Sequence, residues 1–321
     1  MALAVSLIIL ASMSHITART APPQQPPRPP GPHGPNNSVE LVLTYKFSAP
    51  GRTERVRFVV LLPKTISGRQ KISTTCSPKP SKIFNENGNR YAEFIFEKPK
   101  KSFSATVKIQ AELSRYDLAT AREKGKKAQT GDDDLEQFLR HETRIEKDDE
   151  QIQQIAKTIT AHDETAIVKQ IYDYVCDNME YGGFEEKDLG ALEAIKNKKG
   201  DCSEYTALFA AICRAKEIPA RVVYGYTSDY VDTPKHAWVE AYLPEYGWVP
   251  FDPTRGDQNN RFIRDRLFHT LEPIYLYLAN IHERQVVGRG NYYKFWYWGD
   301  EIKVKDTVEF KQSAPPARNS R

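Results

Sequence analysis

An α+β fold is predicted by three features of the sequence. Apolar residues alternate with period two between residues 39 and 113, helical spacing takes over from Asp148, and alternation returns in KHAWVEAYL near residue 240. The chain has 321 residues, 40% of them hydrophobic, which is enough to give each of two domains a core. Its 46 basic and 42 acidic residues are mixed along the chain and leave a formal charge of only +4, so nucleic acid is excluded as a partner.

The N-terminal stretch MALAVSLIILASMSHITA is apolar from Ala2 to about Met13 and is followed by small residues. It is too short for a membrane span of roughly 20 residues and fits the hydrophobic region of a secretory signal. Residues 1–18 are therefore read as a signal peptide, with cleavage after Ala18, and the protein as secreted, periplasmic or held at the cell surface. The stretch lacks Lys and Arg ahead of the apolar run, so an uncleaved N-terminal membrane association is the alternative. Residues 19–38 are rich in proline, which removes backbone donors and favours an extended spacer.

From residue 39 the pattern is that of half-buried strands. Val39, Leu41, Leu43, Tyr45 and Phe47 share one face, then Val56, Phe58, Val60 and Leu62, then Phe103 to Leu113 at every second position. A shorter strand runs from Tyr91 to Phe96, after the turn signal Asn87-Gly88. Together these predict an antiparallel β domain over 39–118. Residues 119–134, charged and containing GDDD, read as an interdomain linker; the acidic run matches no calcium-ligand spacing and is taken as a solvated face. Beyond it, Ile152, Ile155, Ala156 and Ile159 form one helical stripe, and Ile167, Val168, Ile171, Tyr172 and Val175 a second.

The stretch from Gly200 to Arg221 carries the chemistry. Asp201 with Glu204 three residues later forms a capping-box pattern, and Tyr205, Leu208, Ala211, Ile212 and Ala215 supply the buried stripe of the helix it opens. Cys202 then lies in the first turn, where unpaired N–H groups and the positive helix end favour thiolate, and where its own N–H can receive an oxyanion. A buried structural thiol is the ordinary reading of a lone cysteine. The downstream segment KHAWVEAYLPEYGWVPFDPT shifts the balance, because it offers His236 as a base and Asp252 as the group that orients it on two strands of one hairpin.

That pairing constrains the hairpin. His236, Trp238, Glu240 and Tyr242 share one face, as do Trp248, Pro250 and Asp252. A four-residue PEYG loop pairing Leu243 with Trp248 would set Asp252 across from Val239, on the wrong side. A five-residue turn from Leu243 to Gly247, or a bulge, is therefore expected.

GDCSEY, IPAR followed by GY, HAWVEAYL and GWVPFDPT closely resemble the transglutaminase-like superfamily, in its bacterial and archaeal form, over about 135–258. The resemblance implies a papain-like core, a Cys202–His236–Asp252 triad and no cofactor, and the upstream β domain is similar to one that precedes this core in many such bacterial proteins. Two departures are visible: the animal cross-linking enzymes carry Gln and Trp around the nucleophile, where Asp201 and Ser203 stand here, and their large flanking domains are missing. Hydrolysis of an amide or peptide bond is thus as open as glutamine-to-amine transfer. The expected substrate is a protein or peptide, cell-wall peptide included. The rival reading is a non-catalytic protein- or cell-wall-binding scaffold that retains the fold.

Weaker expectations complete the reading. Tyr181 is nominated as a second oxyanion donor, and Trp238, with Trp248, as a wall of the cleft; Tyr224 and Tyr226 lie near its border. No metal site is expected. Cys176 and Cys213 are either bridged or two buried thiols. LFHTLEPIYLYLANIHERQ reads as one helix, with His269 and His282 as ordinary residues. The aromatic segment NYYKFWYWGDEIKVKDTVEFKQ reads as a hairpin closing a catalytic domain over 135–311, ahead of a disordered tail at 312–321.

Overall fold

The computed structural model describes residues 34–123, 135–184, 188–229, 234–281 and 285–312. The expected signal peptide, most of the Pro-rich spacer, the acidic run of the linker, His282 and all but the first residue of the tail fall outside the described residues.

Strands β1 (Asn36–Ser48), β2 (Thr53–Leu62), β3 (Gln70–Ser77), β4 (Lys82–Glu86), β5 (Asn89–Glu97) and β6 (Ser102–Ser114) come first. A connector follows, with β7 (Tyr116–Asp117) and α1 (Leu118–Glu123), so part of the expected linker is helical. The middle of the chain holds α2 (Glu150–Thr158), α3 (Glu164–Asn178), β8 (Glu180–Tyr181), α4 (Ala191–Asn197), β9 (Lys199–Gly200) and α5 (Cys202–Ala215). Then come β10 (Ala220–Thr227), β11 (Lys235–Leu243), β12 (Gly247–Phe251), α6 (Pro253–Gly256), α7 (Arg261–His269), β13 (Thr270–Leu271), β14 (Tyr275–Ile281), β15 (Tyr293–Gly299) and β16 (Lys303–Gln312).

The N-terminal strands build two four-stranded antiparallel sheets, in the orders β16-β1-β6-β3 and β15-β2-β5-β4. The alternation in sequence is the reason: Leu41, Leu43, Tyr45 and Phe47 are buried from β1, Val56, Phe58 and Val60 from β2, and Ala105, Val107, Ile109 and Leu113 from β6. Asn87 and Gly88 both adopt positive φ, 49° and 73°, the paired left-handed conformation that a two-residue hairpin turn requires. The last two strands correct an expectation. β15 pairs with β2 and β16 with β1, so residues 293–312 complete the N-terminal sandwich and do not close the catalytic unit as a hairpin. Pairing between strands so far apart in sequence leaves no local signal, whereas alternation reports only that the segment is a strand.

In the second unit α5 is buried along nearly its whole length, from Glu204 to Arg214. It is packed by α2, α3 and α4 on one side and by β10 and β11 on the other. The sheet runs β12-β11-β10-β14. β14 corrects the expectation of one long helix: α7 ends at His269, Pro273 prevents its continuation, and Tyr275–Ile281 pairs antiparallel with β10.

The two units are joined through side chains. Gln70 bonds both the N–H and the C=O of Tyr277, at 2.9 Å each, and Asn89 does the same for Asn280, at 2.9 and 2.8 Å. These amides satisfy the outer edge of β14, which would otherwise present unpaired groups. Glu240, fully buried on β11, is held between Arg69 of the sandwich and Arg221 of β10.

Candidate active site

Asp201 is the N-cap of α5, its side chain accepting from the Ser203 N–H at 2.7 Å. Glu204 accepts from the Asp201 N–H at 2.9 Å and from the Leu189 N–H at 2.7 Å. The expected capping box is present, and it sets Cys202 as the first helical residue. Gly200 is required just before it: a Cβ there would lie 2.4 Å from the Glu204 Cβ.

The β11–β12 hairpin has the register the pairing demanded. Tyr242 stands opposite Trp248 and Val239 opposite Phe251, so one residue further on Asp252 falls across from Trp238. His236 Nε2 then meets Asp252 Oδ2 at 2.7 Å. The Tyr275 hydroxyl donates to the same Oδ2 at 2.6 Å, and the Arg255 N–H donates to Oδ1 at 3.1 Å. Burial alone would raise the Asp252 carboxyl; the His236 ring, Arg255 and Tyr275 outweigh it and hold the group below its usual range.

Cys202 and His236 line one cleft of about 990 Å³, with Tyr224, Asp188 and Arg289 near them and Tyr293, Lys294 and Asp306 from the sandwich. The Ala237 main chain hydrogen-bonds the Cys202 sulfur. Here the electrostatics correct the expectation of a resting thiolate. Burial pushes the thiol well up, Asp201, Asp252 and Glu204 add to the rise, and the Ala237 bond only partly opposes it. The helix end is overruled because its own cap is a carboxylate.

The weaker nominees divide. Tyr181 pairs across from Gly200, and its hydroxyl is kept protonated by burial and by the nearby Cys202 and Asp201. Trp238 is not a wall of the cleft. It is 1% exposed, packed with Val223, Ile274, Tyr275 and Tyr277 behind His236, over the Gly225 that leaves room for its ring. Trp248 likewise stands elsewhere, against Phe138, Tyr242 and Arg221. Tyr224 lines the cleft and stacks on Tyr292 with ring planes 4° apart, whereas Tyr226 is buried in the sandwich core. Cys176 and Cys213 are free, buried thiols.

Sequence reasoning missed Tyr275, Arg255 and Tyr292. Arg255 lies three residues after Asp252 and forms a two-pronged pair with Asp229, at 2.7 and 2.8 Å, but nothing in FDPTRG distinguishes it from a surface arginine. Tyr275 was hidden by the misassigned helix. Among the described residues no cluster of three or more His, Cys, Asp or Glu is arranged to hold a metal ion.

Residues 153–253 match the family model described as the transglutaminase-like superfamily. Two curated proteins match part of the chain. "Uncharacterized protein YebA" of Bacillus subtilis is 36% identical over 79 residues, 20% of this chain and 11% of that protein. "Protein-glutamine gamma-glutamyltransferase" of Pseudomonas aeruginosa is 39% identical over 67 residues, 18% of this chain and 10% of that one. The chain thus spans about a tenth of the length of the curated relatives it matches. A solved structure of a candidate cysteine protease from Cytophaga hutchinsonii shares the fold over 87% of this chain and 92% of its own, with TM-score 0.58 and 20% identity.

Proposed function

We propose, on the premise that residues 153–253 carry the core of the transglutaminase-like superfamily, that this protein is a cysteine-dependent acyl-transfer enzyme. Cys202 is its nucleophile, His236 its general base and Asp252 the orienting carboxylate. The observation that carries this reading is the 2.7 Å bond from His236 Nε2 to Asp252, beside Cys202 in one cleft. It holds the ring in place at the cleft that Cys202 also lines.

The reaction starts with proton transfer from Cys202 to His236 as sulfur attacks the amide carbonyl carbon. The oxyanion is received by the Cys202 N–H and, as second donor, the Tyr181 hydroxyl. His236 returns the proton to the departing amine, leaving a thioester on Cys202. An amine or water then attacks with His236 again as base, and the thiol is regenerated.

The donor amide is a glutamine side chain or a peptide bond of a protein or peptide; the first is in line with the named activity of the Pseudomonas relative, the second with the description of the Cytophaga protein. The apolar run at residues 2–13 supports action outside the cytoplasm. The test is incubation with a glutamine peptide, with and without a primary amine, following ammonia and product mass. Ammonia release that vanishes in Cys202→Ala and His236→Ala is the expected result, and the product mass separates transfer from hydrolysis. Turnover unaffected by either substitution would remove the assignment.

A further inference from the structure

One end of the cleft holds an unsaturated ionic cluster. Arg289 lines it, on a turn whose flanking Gly288 and Gly290 both have positive φ, 84° and 76°. That backbone bend is open to glycine and strained for other residues, so the chain is shaped to project the arginine between them. Its side chain is 11% exposed. Two carboxylates stand near it, but each is already committed: Asp188 to Arg144 at 3.1 Å, and Glu142 to Arg214 at 2.9 Å. Arg289 reaches them only at 3.4 and 3.6 Å, beyond a good hydrogen bond.

Arg289 Nε and Nη1 are accordingly buried donors with no hydrogen-bond partner, and Glu142 Oε2 and Asp188 Oδ1 are acceptors in the same condition. Among the described residues the cluster is incompletely paired, and its charge count sets the sign of the group that fits it. Three guanidiniums, of Arg144, Arg214 and Arg289, face two carboxylates, of Asp188 and Glu142, in these contacts. A third carboxylate balances them, and a planar guanidinium fork matches carboxylate geometry better than any other side chain. The Tyr224–Tyr292 stack runs along the cleft between this end and Lys235, which lies over the Tyr292 ring.

We propose that Arg289 determines substrate specificity by binding a carboxylate on a residue flanking the amide attacked at Cys202, so that the substrate is an acidic peptide. The inference rests on the acyl-transfer reading for its setting, though not for its binding readout.

Three peptides, identical except for Glu, Gln or Lys beside the donor amide, test it. The wild-type protein is expected to favour the Glu peptide over the Gln peptide by about tenfold or more in kcat/KM, mainly through KM. Arg289→Gln brings that ratio close to one by lowering kcat/KM of the Glu peptide towards that of the Gln peptide, and Arg289→Lys retains part of it. A wild-type ratio near one, a ratio preserved in Arg289→Gln, or preference for the Lys peptide overturns the proposal. The same peptides are titrated against Cys202→Ala by calorimetry. Tighter binding of the Glu peptide, lost when Arg289→Gln is added, sustains the proposal even where no turnover occurs and the catalytic reading fails. Equal binding of the three, or none at millimolar peptide, refutes it even where turnover is found.

Discussion

The Tyr275 hydroxyl and the His236 ring meet the same oxygen of Asp252, at 2.6 and 2.7 Å. The carboxylate that holds the His236 ring is therefore itself oriented, from a strand on the far edge of the sheet. Tyr275 also lies edge-on against Trp238, with ring centroids 5.2 Å apart, so the support is packed as well as hydrogen-bonded.

Tyr275→Phe keeps the packing and removes one hydrogen bond to a charged acceptor. Such bonds are worth about 1.5–3 kcal/mol, and His236 retains its own bond to the oxygen, so kcat is expected to fall roughly 3- to 30-fold. KM for a peptide substrate should stay within about twofold, since the hydroxyl is spent on Asp252 and Tyr275 is not among the residues lining the cleft. Steady-state kinetics on the two proteins check this.

Asp201 raises the Cys202 thiol by its charge while capping the helix. Asp201→Asn keeps an acceptor for the Ser203 N–H and removes the charge. Alkylation of Cys202 by iodoacetamide at pH 7–8, followed by peptide mass, is therefore expected to be faster in the variant than in wild type. A slower or equal rate would show that the neighbouring charge does not govern the thiol.

How far the site was legible follows from which interactions are local. Asp201 and Glu204 are three residues apart and their capping box was visible at once. The register of the 235–252 hairpin followed from requiring His236 and Asp252 on one face. The pairing of β15 and β16 with β2 and β1 was not legible, because strand alternation names a face and never a partner. Tyr275 and Arg289 were missed for the same reason: the groups each one meets are distant in sequence, Asp252 in one case and Asp188 and Glu142 in the other. For Cys202 the sequence shows the helix position, which favours thiolate, but not the burial and the neighbouring carboxylates that raise the thiol.

Glu204 titrates at about 7, raised from 4.5 first by burial and then by the charge of Asp201, with the Leu189 and Asp201 N–H groups working the other way. The folded protein then binds a proton that the unfolded chain has released between pH 4.5 and 7. Stability from this group is complete below about pH 4.5 and declines as pH rises to about 7, by up to about 3 kcal/mol. Glu204→Gln is expected to flatten that part of the stability profile, as read from urea midpoints across pH 4–8.

Glu240 carries the ionic junction between the units. Burial would raise its carboxyl, but Arg69 and Arg221 outweigh burial and keep it low. Glu240→Ala leaves two largely buried guanidiniums facing each other, and a loss of about 3–5 kcal/mol is expected. Thermal melts measure it directly; a change under about 1 kcal/mol would mean that the arginines find other partners or water.

Acyl transfer through Cys202 requires a covalent bond at one sulfur. Protein mixed with an activated glutamyl ester, quenched in acid within seconds and analysed by intact mass and peptide mapping, is expected to carry one acyl group, on Cys202. The group should be absent in Cys202→Ala and form far more slowly in His236→Ala. Acylation at another residue, or formation in His236→Ala at the wild-type rate, would contradict the account.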